Sequence, residues 1–331
     1  MDTKRPTVPA AEEILGGYFP VLDHGFVALV DYMGTDDSIE RAARVSYGYG
    51  TRQSSQTRGL IRYLRRHRHT TPSEMVELKF HCAMPMFVAR QWIRHRTANV
   101  NEYSGRYSLI PLLFYTPRSE DFALQSPVNN QGRQETAAAS ELYGEAVDRW
   151  ANLRAQAAST YGWLVAGDVA RELARIDLPL STYTQWYWKI DLHNLLHFLS
   201  LRADVHAQYE IRAFAEVMAG IVKRVAPLSY EAWIDYQLAG AVLSRGELAA
   251  LQALLESDDS GIRARADRSA LSVGELKQFD LSGREARELL EKLRPRPVPD
   301  YELDLGRMRS AADVEREMRA AVPMRDREVE A

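Results

Sequence analysis

Between Met75 and Ala83 the apolar residues Val76, Leu78, Phe80 and Cys82 alternate with Glu77, Lys79 and His81. That period of two is the pattern of a half-buried strand. Thr71-Pro72-Ser73 breaks any helix entering it, and Pro85 is suited to the first turn of a helix leaving it, from Pro85 to about His95. A chain carrying this stretch cannot be an all-helical bundle. Elsewhere the apolar spacing is helical. It predicts helices over Ser38–Val45, with Asp36 and Asp37 as caps, and over Gln56–His67. A longer helical stretch runs from about Thr136 to Ala174. After an interruption at Asp177-Leu178-Pro179, helix resumes over Asp191–Leu201 and Ala207–Val225. Tyr107 to Gln131, rich in Pro, Ser, Asn and Tyr, reads as a strand followed by a long surface loop, a candidate lid. The expected fold class is α/β of the α+β type: a helix-rich subunit with a central sheet.

With 331 residues, 46% of them hydrophobic, the chain has ample material for a buried core. After Ser257 Arg, Asp and Glu dominate, and RPRPVP at Arg294–Pro299 cannot continue a helix. We therefore expect a main domain over 1–256 and a charged extension over 257–331, with short helices at Leu271–Phe279 and Arg284–Leu293. The 42 basic and 45 acidic residues leave a net charge of −3, so any anion site must be local. No run approaches the roughly 18 apolar residues of a membrane helix, and the first residues lack a long apolar segment. The expectation is a cytoplasmic protein with neither membrane nor nucleic acid as partner. Cys82, the single cysteine, sits on the apolar side of the predicted strand and reads as a core residue.

The densest chemistry lies between Gln91 and Tyr107, where three guanidinium groups, an imidazole, a carboxylate, amides and a hydroxyl start on a helix and leave it. Guanidinium forks grip phosphate or carboxylate in bidentate geometry, while amides and hydroxyls read the edge of a planar heterocycle. A solvated basic helix end is the plainer alternative. On the predicted helix Phe87, Arg90, Gln91 and Arg94 share a face. A second cluster, His193 and His197 with His206 beyond, has the spacing of a zinc helix, but Asn194 stands where that chemistry needs a glutamate base. It supports a zinc-dependent hydrolase only as a rival reading, and no metal is expected. Arg202, at the end of an apolar helix, can stabilise negative charge or pair with Asp204 or Glu210. Arg65 to His69 could form a nucleic-acid-binding module, a further rival.

Arg94-His95-Arg96, seven residues and then Ser104 resembles the RHR-x7-S motif of the flavin-dependent thymidylate synthases, and NEYSGRYS around the serine strengthens the match. Further similar segments follow in order: Gly25-Phe26-Val27 with Asp31-Tyr32-Met33-Gly34, Ala42 to Ser46, His69 to Glu74, and Leu201 to Asp204 with His206-Ala207-Gln208. The resemblance spans roughly Val21 to Trp233. It implies a homotetramer whose active sites are shared between subunits. It also implies methylation of dUMP to dTMP, with 5,10-methylenetetrahydrofolate as carbon donor and reduced FAD, regenerated by NADPH, as hydride source. No cysteine nucleophile is involved. The resemblance assigns Gln91, Arg94, Glu102, Ser104, Gly105, Arg106, Arg175 and Arg202 to dUMP, with Arg202 as the catalytic group that favours the ionised pyrimidine. It assigns Ser46, His69, Thr71, Glu74, Arg94, His95, Arg96, Glu102, Asp191, His193 and His197 to FAD.

Overall fold

The structure is a computed structural model that describes residues 5–45, 57–127, 132–256, 276, 281–294 and 298–323. It has two compact units: Met1–Glu231 with Tyr301–Ala331, and Ala232–Asp300. These divisions fall at other positions than residue 257.

The first unit is built on a five-stranded antiparallel sheet in the order β1 (Tyr18–Val21), β2 (Gly25–Met33), β3 (Glu77–Pro85), β7 (Tyr183–Asp191), β4 (Asn99–Glu102). A separate hairpin joins β5 (Ala123–Gln125) to β6 (Arg133–Ala137). The alternation that predicts β3 is seen directly: Leu78, Phe80 and Cys82 face the core opposite Ile190, Trp188 and Trp186 of β7. Strand β7 itself is not among the sequence expectations. Nor are β1 and β2.

The α-helices of this unit up to residue 225 are α1 (Pro9–Glu12), α2 (Asp36–Arg44), α3 (Thr57–Arg66), α4 (Thr71–Glu74), α5 (Met86–Trp92), α6 (Ser140–Ala166), α7 (Arg171–Ala174), α8 (Leu192–Arg202) and α9 (Tyr209–Val225). Thr71-Pro72-Ser73, read as a break, forms the single turn of α4, with proline in its first turn. Asp36 does not cap α2. Thr35 holds the cap position, and the Asp36 carboxylate accepts from the backbone N–H groups of Leu228 and Ser229 at 2.7 and 3.0 Å, capping the helix α10 (Pro227–Trp233) instead. The single helical stretch expected from Thr136 to Ala174 is interrupted at both ends. Arg133–Ala137 pairs as β6 before it starts, and Asp168 takes a left-handed φ of 60° after it stops.

Helices α5, α8 and α9 cover the apolar side of the sheet. Trp92 of α5 is fully buried against Trp186, Trp188, Phe198 and Phe214, with ring centroids 5.1–5.9 Å apart. On the other side α13 (Ala311–Ala320) packs Val314 and Met318 on Tyr18, Phe26 and Ala83. Leu303 packs on Gly220 so closely that a Cβ there would come within 2.9 Å of its Cδ2. The residues after 300 thus complete this unit.

The second unit contains α11 (Arg245–Glu256) and α12 (Gly283–Lys292) around Ala250, Leu276, Leu281, Ala286 and Leu289. The helix expected at Arg284–Leu293 is α12, started by a Ser282–Glu285 capping box. The one expected at Leu271–Phe279 lies, apart from Leu276, outside the described residues. No helix among the described residues is long and apolar enough to cross a membrane.

Candidate functional site

Helix α5 ends at Trp92, so Arg94 does not extend the face of Phe87, Arg90 and Gln91 as the spacing predicts. The reason is packing. Trp92 is locked among four aromatic rings, and the chain must turn at once to start β4 beside β7. In that turn Arg94 and Arg96 point outward while His95 is half-buried, its ring edge-on to Phe198 at 4.8 Å. Arg202, the last residue of α8, donates from Nε to His95 Nε2 at 3.0 Å. A ring nitrogen that accepts must be unprotonated, so the proton of the neutral imidazole sits on Nδ1. Burial, with the charges of Arg202 and His197 added, lowers the His95 pKa to about 4. Burial also lowers that of Arg202, but a guanidinium starts so high that it stays cationic. The alternative partners of Arg202 are engaged elsewhere: Asp204 pairs with His206 at 2.8 Å, and Glu210 lies 3.6 Å from Arg133.

Beyond β4 the second half of the motif forms a tight turn. Glu102 accepts from the Thr184 hydroxyl at 2.8 Å, and the Ser104 hydroxyl accepts from the Arg106 backbone N–H at 3.3 Å. Gly105 is buried: a Cβ there would stand 2.6 Å from Ile110 Cδ1 and 3.1 Å from Arg175 Cδ, so the glycine lets the Arg175 stem lie against the turn. Arg106 is exposed, 5.1 Å over the Tyr107 ring. The four residues of β4, at about 3.3 Å each, hold the arginine–histidine end and the serine end some ~10 Å apart.

Several of the candidate flavin residues lie on or beside α8. Asp191 caps it, accepting from the Asn194 backbone at 2.9 Å and from its side-chain amide at 2.7 Å. His193 follows, its Nδ1 buried without a hydrogen-bond partner, and His197 stands 6.4 Å from the His95 ring. Burial first, and Arg65 second, push the His193 pKa down, against the opposing charges of Asp191 and Glu74. Arg65, which the sequence reading did not place here, lies close enough to His193 for its charge to act on it. Burial lowers its pKa to about 10, and it reaches Ser73 Oγ at 3.5 Å. Its position one turn after buried Ile61 was the available signal. His69 and Thr71 line, with Leu60, Tyr63 and Pro72, a cleft of about 670 Å³. Ser46 lies outside the described residues.

The rival readings lose their geometry. His206 is turned to Asp204, and among the described residues no three His, Cys, Asp or Glu side chains are placed to hold a metal. In the basic run Arg65 points inward rather than joining an exposed strip. The candidate lid is tied down over its first half: Ile110 N–H donates to the Tyr161 hydroxyl, Leu112 N–H to the Ala321 carbonyl and Thr116 N–H to Asp23, while Arg154 donates to the Tyr115 carbonyl at 2.6 Å. No strand starts at Tyr107.

The donor set suits an anionic nucleotide and a flat dinucleotide cofactor. Gln91 Oε1 and His193 Nδ1 are buried polar atoms without a protein hydrogen-bond partner. Comparison with known proteins agrees. The sequence model of the family described as thymidylate synthase complementing protein matches residues 28–228. A flavin-dependent thymidylate synthase of Wolbachia pipientis is 54% identical over 257 residues, covering 78% of this chain and 90% of that one. Another, of Ruegeria pomeroyi, is 50% identical over 291 residues, covering 85% and 93%. Among solved structures, a UMP/dUMP methylase from Streptomyces cacaoi bound with 5-Br dUMP superposes with a TM-score of 0.59 at 33% identity, covering 65% of this chain and 96% of that one.

Proposed function

This chain belongs to the family of flavin-dependent thymidylate synthases, and on that footing we propose how its residues divide the work. The protein is a methyltransferase that converts dUMP to dTMP with a flavin cofactor. We assign the flavin as FAD, the carbon donor as 5,10-methylenetetrahydrofolate and the reductant as NADPH, acting in the cytoplasm.

The observation that carries this reading is the Arg202 guanidinium, fixed on a neutral His95 at the end of α8. A permanent cation beside the pyrimidine imide favours loss of its proton and makes C5 electron-rich toward the one-carbon unit. Gln91, Arg94, Glu102, Ser104, Gly105, Arg106 and Arg175 bind the nucleotide, the arginines holding its phosphate. FAD is held by His69, Thr71, Glu74, Arg94, His95, Arg96, Glu102, Asp191, His193 and His197, with Ser46 as a further contact. The bound cofactor supplies the hydride that completes the methyl group. No thiol is called for, and burial raises the Cys82 pKa well above its ordinary value.

We further propose a homotetramer with composite sites. Two features support it. One chain keeps the two halves of its motif at opposite ends of β4. Helix α6, 27 residues long, buries only Tyr161 and Val165 while leaving Leu153 and Trp163 exposed, Trp163 to 74%. The test is direct. The purified protein is expected to be yellow, to bleach with NADPH, and to form dTMP only when dUMP and methylenetetrahydrofolate are both present. A colourless protein that makes no dTMP after FAD is added overturns the reading.

A further inference from the structure

We propose that His95 is a positioning residue for Arg202: its Nε2 fixes the guanidinium through Nε, leaving the terminal nitrogens of Arg202 to face the nucleotide. The inference rests on the assignment of Arg202 to the pyrimidine made above, and it changes the part His95 plays from lining the flavin to setting the aim of the catalytic cation.

Three observations carry it. The bond is direct, 3.0 Å, and uses the one guanidinium nitrogen that cannot also serve in the paired terminal fork. The acceptor is itself fixed: the imidazole lies edge-on to Phe198 at 4.8 Å, and Phe198 is stacked on Trp92 at 5.1 Å, so the orientation of His95 is set by the aromatic core. Arg202 ends a helix and is only half-buried, so without an anchor its long side chain keeps its rotamer freedom. An acceptor that is neutral adds no charge of its own. A carboxylate in its place would hold the arginine as firmly but cancel the charge offered to the ring. The placement also explains why a histidine stands between two exposed arginines in the motif: the outer residues face solvent, and the central one turns in.

The test is a double-mutant cycle in the affinity of the FAD-loaded protein for dUMP, measured by calorimetry, with flavin content recorded for every variant. Arg202→Ala is expected to weaken binding about tenfold and His95→Leu by a similar factor. The two together are expected to weaken it no further, because His95 acts through Arg202. His95→Gln, whose amide oxygen can accept the same hydrogen, is expected to recover most of the loss. This variant keeps the test informative where the leucine variant fails to fold. Independent losses that multiply to about a hundredfold, with Arg202→Ala alone still weakening binding, overturn the positioning role and leave the assignment of Arg202 standing. So does His95→Gln behaving like His95→Leu while retaining full flavin. If Arg202→Ala leaves dUMP affinity and turnover unchanged, the assignment of Arg202 itself fails and the proposal falls with it.

Discussion

At the Asn99 end of β4 one cation is anchored through the aromatic core, Arg202 on neutral His95, His95 on Phe198, Phe198 on Trp92, while Arg94 and Arg96 point outward. At the Glu102 end the arrangement is looser. The turn at Ser104 and Gly105 is closed by the Tyr107 and Ser108 N–H groups donating to the Ser104 carbonyl, and Arg106 lies exposed over Tyr107 with its Nε 3.4 Å from Ser104 Oγ. The difference follows from what each end packs against. The first abuts the aromatic layer between sheet and helices, the second a smaller cluster of Leu109, Ile110, Tyr161 and Val165 with the Arg175 stem. A preorganised cation does most for a transition state, since no ordering remains to be done at the moment of reaction. An exposed cation on a surface turn is placed to capture a phosphate, where the ligand itself supplies the order.

The largest effect should expose that division. Arg202→Ala is expected to lower kcat for dTMP formation about 10²–10³-fold while the protein stays yellow. Arg106→Ala is expected to raise the KM for dUMP about tenfold or more, the loss of one charge-assisted contact, with a much smaller change in kcat. Steady-state kinetics over a range of dUMP concentrations checks both. Equal falls in kcat from the two variants break the contrast.

A smaller effect concerns pH. The folded-state pKa of His95 lies at about 4, below the ordinary histidine value, so the unfolded chain takes up this proton first as pH falls. Stability from this group is therefore complete above the ordinary value and is lost as pH drops from about 6.5 toward 4. His81 and His193 shift in the same direction through burial. Replacing His95 by Gln should thus flatten, without abolishing, the fall of Tm with pH across that window. An unchanged slope shows that His95 is not held neutral in the fold. Arg106 has no titrating acceptor of this kind, so its variant should keep the slope of the parent.

Much of this was legible in the sequence, and the failures share a cause. Strand β3 was readable because charged residues alternate with apolar ones. Strand β7 was not, because Tyr187 stands on the polar side between Trp186 and Trp188, and aromatics on both faces erase the period of two. Helix α5 was read too long because nothing local shows that Trp92 enters a four-ring cage assembled from β7, α8 and α9. The site followed the same rule. The residue types from Gln91 to Arg106 raise the expectation of an anion site, but the contact between His95 and Arg202 joins positions 107 residues apart and exists only once α8 packs on the sheet. Arg65 was grouped with a possible nucleic-acid contact because five basic side chains in a row hide which one follows the buried stripe of α3.

The smallest effect on catalysis is expected at Cys82, which belongs to neither end of β4. It is fully buried, on β3 between Val27 of β2 and Trp186 of β7, and burial alone raises its pKa. A thiol so placed has no route to a nucleotide held at either end of β4, and it lacks the nearby cation that makes a thiolate. Cys82→Ala is therefore expected to leave kcat and the KM for dUMP within about twofold, while costing about 1 kcal/mol of stability through the smaller side chain in a packed layer. Thermal unfolding and turnover measured on the same preparation separate the two. A variant with unchanged Tm but no dTMP formation would put sulfur into the reaction, and the catalytic centre would then have to lie inside the sheet rather than where Arg202 meets His95.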